Sequence, residues 1–119
     1  MANPVNEENY DIEAVIKNCR KSKKSFYSGY GLPFGIQKSS ATTGIIDFVD
    51  KTIVEYNEEA IALVRFLMPE AYPKSIWTGR KILIKEGSQV IGYAIVTKIL
   101  NKILESDEIG IEGELNLEE

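Results

Sequence analysis

Five cations fall within eight positions of this chain: Lys17, Arg20, Lys21, Lys23 and Lys24. A loop with that density of lysine and arginine can neutralise phosphates, so one reading of the run is a contact to a nucleic-acid backbone. The other reading is a loop that charge keeps in solvent, and the run alone does not separate the two. The rest of the sequence holds little that could make or break bonds. It has no histidine, which removes the usual general base and the commonest metal ligand. Cys19 is the single cysteine; with no histidine to activate its thiol, it reads as a small core residue. Glu58 and Glu59 are adjacent carboxylates on a polar stretch, and sequence neighbours usually diverge, so they read as solvated. No Gly-x-x-x-x-Gly-Lys-Ser/Thr loop is present to cradle a nucleotide phosphate. The expectation is therefore a chain with no catalytic residues, no metal, no cofactor and no bound nucleotide.

Charge divides the sequence. In residues 102–119, Lys102 stands against Glu105, Asp107, Glu108, Glu112, Glu114, Glu118 and Glu119, for a balance of −6. The overall charge is −4, so residues 1–101 carry +2. A body this close to neutral is not the footprint of a strong nucleic-acid binder. The chain has 119 residues, 44% of them apolar, which is enough for one ordinary domain with its own core. No run approaches the ~18 apolar residues that span a bilayer. The opening Met1-Ala2-Asn3-Pro4 lacks the basic and apolar regions of a secretion signal. With a lone cysteine, these features lead to the expectation of a cytoplasmic protein away from membranes.

The elements that must carry the cations read as strands. Residues 10–19 alternate loosely, with Ile12, Ala14 and Ile16 against Asp11, Glu13, Val15 and Lys17, although Ile12, Val15, Ile16 and Cys19 also fit a helical period. Residues 20–28 read as a loop. Gly29 and Pro33 bend the chain into a strand over residues 34–40. Residues 41–44, Ala-Thr-Thr-Gly, read as a turn or bulge, 45–49 as a strand and 50–59 as a polar loop. Residues 60–68 are the most apolar run and read as a buried strand, which Pro69 and Pro73 end. The clearest signal is the pair of runs over residues 78–100. Lys81-Ile82-Leu83-Ile84-Lys85 is rich in β-branched residues, and Glu86-Gly87-Ser88 supplies turn chemistry. In the second run Ile91, Tyr93 and Ile95 share one parity, and Gly92, Ala94 and Val96 the other. That pattern predicts an antiparallel hairpin with its turn at residues 86–89. Small residues inside a strand point to the tight coiling of a closed barrel.

Two blocks of this sequence resemble elongation factor Tu. Gly79-Arg80-Lys81-Ile82-Leu83-Ile84-Lys85-Glu86-Gly87, followed by Val90-Ile91-Gly92, looks like the last hairpin of that family's third domain. Gly29-Tyr30-Gly31-Leu32-Pro33-Phe34, continuing to Thr42-Thr43-Gly44, is similar to its Gly-Tyr-Arg-Pro-Gln-Phe…Val-Thr-Gly run. The likeness covers roughly residues 10–101. It implies an all-β fold, a closed antiparallel barrel of about six strands of the translation-factor type. It also implies a first strand over residues 10–19 rather than a helix. The family hydrolyses GTP with a separate domain that this chain does not contain, so the resemblance carries no GTPase activity.

The family's barrel contacts the transfer-RNA T stem and partner proteins. By the resemblance, Thr43 and Glu86 stand at RNA-contacting positions. A third such position is a Gln in the family and is Phe34 here, and the Gly-Arg after the family's Glu-Gly is Ser88-Gln89. The paired glycines of the family's basic loop are also missing from residues 20–28. The expected layout is a flexible segment over 1–9, a barrel domain over 10–101 and an acidic tail over 102–119. Within that tail, residues 108–118 alternate in a way that fits either an edge strand or disorder. The expected function is a non-catalytic module that binds a protein partner. The alternative is a weak RNA contact, of the transfer-RNA type, through Lys17, Arg20, Lys21, Lys23, Lys24, Thr43 and Glu86.

Overall fold

Alternation on the first strand sets the architecture. In strand β1 (Ile12–Asn18) the side chains of Ile12, Ala14, Ile16 and Asn18 are buried, and those between are half-exposed. A strand with one buried face must close over a core, and here the sheet closes on itself. The computed structural model describes residues 9–38 and 40–106. Around β1 the chain forms β2 (Phe26–Tyr27), β3 (Gly31–Gln37), β4 (Ser40–Phe48), β5 (Ile53–Val54), β6 (Glu59–Phe66), β7 (Lys81–Glu86) and β8 (Gln89–Ile99). Six of these strands make a closed antiparallel barrel in the order β1-β6-β4-β3-β7-β8, while β2 and β5 pair as a separate two-stranded ribbon. The fold is all-β, as the alternation predicts. Closure removes the free sheet edges that a sequence rich in β-branched residues would otherwise expose.

The hairpin over residues 78–100 is present. Glu86 pairs with Gln89 across Gly87 and Ser88, and Gly87 adopts φ 64°, the glycine-first turn that suits strand twist. The small parity of β8 is the inward one: Gly92, Ala94 and Val96 are buried, whereas Tyr93 and Ile95 are half-exposed. A Cβ at Gly92 would collide with the Lys17 backbone oxygen and lie 3.2 Å from the Phe26 ring. The absence of a side chain there lets β1 and β8 approach, and it leaves room for Phe26.

Three expectations are corrected. Residues 41–44 are not a turn: β4 runs through them, with Thr42 buried and Gly44 packed so close to the Phe34 ring that a Cβ would lie 2.7 Å from it, although the β3–β4 register does shift there, between the Phe34–Thr42 and Gln37–Ser40 pairs. The strand expected at 34–40 begins earlier, at Gly31, and Pro33 sits within it opposite Thr43. Pro33 has no N–H to donate, and β3 shares one register pair with β7, Phe34 with Ile84. Arg80 closes that seam by donating from Nη2 to the Ile36 carbonyl at 2.6 Å. Finally, residues 20–28 and 50–59 are not plain loops, because each contributes one strand of the β2–β5 ribbon.

After β8 a 3-10 turn at Lys102–Leu104 returns Leu104 to the core, and Ser75, Ile76 and Ser106 bond across it. Expectations for residues 1–8 and for the alternation over 108–118 fall outside the described residues. Among the described residues no helix is long and apolar enough to cross a membrane.

Candidate binding surface at the Asn18 end

β1 ends at Asn18, a polar side chain on the apolar parity, fully buried at one mouth of the barrel. Burying an amide there requires partners for its polar atoms. Asn18 Nδ2 donates to the carbonyls of Lys24 at 2.9 Å and Val54 at 3.0 Å, and Oδ1 accepts from the Arg20 amide at 2.9 Å. The Asn18 carbonyl accepts from the Asn57 amide at 2.7 Å. One side chain therefore fixes both loops of this mouth, the one carrying the cations and the one carrying β5.

The β2–β5 ribbon then plugs the mouth. Phe26 and Val54 point inward and are buried, while their neighbours Tyr27 and Ile53 point outward and are exposed. Phe26 lies over Gly92. Further bonds staple the ribbon to β4: Phe48 donates to Ser28 Oγ at 2.8 Å, and Gly29 donates to the Ile46 carbonyl at 2.6 Å. Tyr27, Tyr30 and Tyr56 are thus exposed aromatic rings on backbone held from below, with Val49 and Ile53 exposed on the same loops.

Beside the ribbon lies an open cleft of about 390 Å³, lined by Arg20, Lys23, Lys24, Ser25, Tyr27 and Tyr30. The Tyr27 and Tyr30 rings stand 5.2 Å apart and are tilted 59° to each other. Lys23 adopts φ 64°, and its ammonium lies 6.0 Å from the Tyr56 ring. Arg20 is committed. Its guanidinium bonds Glu86 at 2.8 Å and lies 5.5 Å from the Phe26 ring centre. Among the described residues Lys21, Lys23 and Lys24 join no ion pair.

The structure brings Arg20, Lys23, Lys24 and, through its bond to Arg20, Glu86 to one end. Lys21 is exposed on the same loop. Lys17 is half-buried on the barrel wall, on the outward parity of β1. Thr43 is exposed on β4, opposite Pro33, and does not line the cleft. Cys19 is not a core residue; it follows the last residue of β1 and is half-exposed. The sequence reading overlooked Asn18, Tyr27, Tyr30 and Tyr56. A polar residue continuing the Ile12-Ala14-Ile16 parity was the available signal for Asn18.

The opposite end is built differently. Asp11, also buried, accepts from the Phe66 amide at 2.7 Å through Oδ2 and from Asn101 Nδ2 at 2.8 Å through Oδ1. Tyr10 donates its hydroxyl to Asp47 Oδ2 at 2.7 Å. That hydrogen bond, with some loss of solvent and the carboxylate charge, raises the Tyr10 pKa above its ordinary 10.0. A hollow of about 490 Å³ lies there, larger than the cleft; of its polar lining Tyr10, Asp11 and Asn101 already bond within the barrel, and Asn9, Arg65 and Lys102 complete it. Among the described residues no three metal-ligating side chains gather. Compared with protein-family models and with curated proteins, the chain matches none.

Proposed function

We propose that this chain is a non-catalytic, cytoplasmic protein-binding module that engages its partner through the Asn18 end of the barrel. The observation that carries the reading is that Tyr27, Tyr30, Tyr56, Val49 and Ile53 are all exposed on the loops of the end anchored by a buried asparagine. Tyrosines supply large contact area at little entropy cost and are enriched at the centres of protein interfaces. Loops that are ordered beforehand lose less freedom on binding. The resemblance to the elongation factor Tu barrel supports a role in binding, since that domain contacts other macromolecules while GTP chemistry lies elsewhere.

A second reading is RNA binding. It is favoured by the adjacency of lysines and tyrosine rings in the cleft, a pairing that also suits bases and phosphates.

The test is a photo-crosslinking amino acid placed at Ile53 and, separately, at Leu67, which is exposed just after β6. Both proteins are irradiated in native lysate with and without ribonuclease. Protein adducts from position 53 that survive ribonuclease, without matching adducts from position 67, support the first reading. Adducts confined to position 67 overturn it, and recovery of RNA from position 53 supports the second.

A further inference from the structure

We infer that the cleft of Arg20, Lys23, Lys24, Tyr27 and Tyr30 takes an acidic peptide segment that sets a carboxylate among the lysines and an apolar side chain against the two tyrosines. This rests on the reading that the Asn18 end binds protein and supplies the chemistry of the partner.

Charge complementarity is the first argument. Among the described residues no carboxylate lines the cleft and its two lysines join no ion pair. The Asn18 bond to the Lys24 carbonyl and the turn from the Lys23 amide to the Arg20 carbonyl fix the backbone that presents them. Glu86 provides the second argument. At the rim of this cleft a carboxylate already meets Arg20 at 2.8 Å over the Phe26 ring, so the site accommodates the group proposed for the partner. The tilted tyrosine pair is the third. Rings 5.2 Å apart and inclined at 59° pack on each other and, both exposed, offer their outer faces as one apolar surface, against which an aliphatic or aromatic side chain can lie.

The distribution of charge favours peptide over RNA. A single-stranded nucleic acid needs a positive groove that follows its backbone over several nucleotides. Here the positive strip ends at the ribbon. The facing loop carries exposed Asp50, Glu55 and Glu58, and its Lys51 lies 3.9 Å from Glu58. Arg20, the arginine best suited to fork a phosphate, is already bonded to Glu86. Lys23 and Lys24 are point charges, sufficient for a side-chain carboxylate.

The test is an amide-shift NMR titration of the full chain with the synthetic peptide Asp-Glu-Phe-Glu-Asp-Leu-Glu-Asp-Phe. The controls are the same peptide with every carboxylate replaced by its amide, and oligouridine. The acidic peptide is expected to shift amides of residues 20–30 and 52–57, and the amide peptide is expected to leave them in place. Lys23→Glu with Lys24→Glu should weaken the acidic peptide about tenfold, the scale of two exposed charge contacts reversed. Both lysines are exposed, so the variant keeps its core, and an unchanged spectrum elsewhere verifies that. Equal shifts from both peptides, shifts confined to other residues, or no shift at millimolar peptide would each overturn the assignment. So would oligouridine binding the same residues more tightly. The cross-link from position 53 is scored independently, so this chemistry can fail while the protein-binding reading stands.

Discussion

The two ends of the barrel solve the same problem with opposite outcomes. Each holds a buried polar side chain beside β1: Asp11 before its first residue and Asn18 at its last. Asp11 spends its bonds on the wall. Its carboxylate takes the Phe66 amide and the Asn101 side chain, and its carbonyl takes the Leu100 and Asn101 amides. That end joins the ends of β6 and β8 to β1. Asn18 spends its bonds on loops, through Lys24, Val54, Arg20 and Asn57. The side chains those loops carry are thereby presented to solvent on a fixed backbone. A buried polar group that joins wall to wall closes an end on itself, and one that joins wall to loop holds loops in place over the end.

The largest expected effect comes from removing the space under the Asn18 end. Gly92→Val would drive a side chain into the Lys17 carbonyl and the Phe26 ring, and overpacking of this kind costs about 3 kcal/mol. Urea unfolding should show that loss. Because Phe26 is the inward side of the ribbon, the amide signals of Tyr27 and Tyr30 should move more than those near Asp11. A neutral result would mean that β1 and β8 can separate locally without cost, and that the plug is not seated on Gly92.

Asp11→Ala comes next. It leaves the buried Phe66 amide without its side-chain partner, and one such orphaned group costs about 2 kcal/mol. The expected signature is lower stability with the amide shifts of residues 20–30 unchanged, since none of the Asp11 bonds reaches that loop. Movement of those signals would show that the two ends are coupled through the wall.

How much of this contrast was legible follows from which contacts are local. The 81–99 hairpin was readable because both its alternation and its Glu-Gly-Ser turn lie within the run itself. The course of β4 was not, because Thr42-Thr43-Gly44 has turn composition, and what holds it extended is Phe34 and Val64 packing on Gly44 from two other strands. Nor was the ribbon, since a period of two cannot be seen in Phe26–Tyr27 or Ile53–Val54 alone. The run of cations was visible, but its division was not. Arg20 joins Glu86 across 66 positions of sequence, and that separation hides which charges are spent and which remain.

Asn18→Ala should cost an amount similar to Asp11→Ala, about 2 kcal/mol, because it leaves the Lys24 and Val54 carbonyls without their donor beneath the ribbon. Its effect on the surface should be disproportionate. Hydrogen exchange at the Arg20 amide, which loses its Oδ1 acceptor, should accelerate well beyond that at the core strands. Any partner captured from position 53 should be lost at temperatures where the barrel remains folded. Protection that stays unchanged at Arg20 would mean that the loops are held by the ribbon staples rather than by Asn18.

The smallest effect belongs to Tyr10 and sharpens the comparison by pH. Its hydroxyl donates to Asp47 across the Asp11 end, and that bond holds its pKa above 10.0 in the folded chain. A proton bound more tightly in the folded state stabilises it. The contribution is therefore complete below the unfolded pKa and disappears as pH climbs through the raised folded value. Tyr10→Phe deletes the bond while keeping the ring, so it should cost under about 1 kcal/mol at neutral pH. The quantity to follow is the difference in unfolding free energy between the two proteins from neutral to alkaline pH. It should shrink toward zero as pH rises past the raised value, since the native protein is then losing the contribution that the variant never had. A difference that stays constant or grows would show that the Tyr10–Asp47 bond does not link this end of the barrel to protonation.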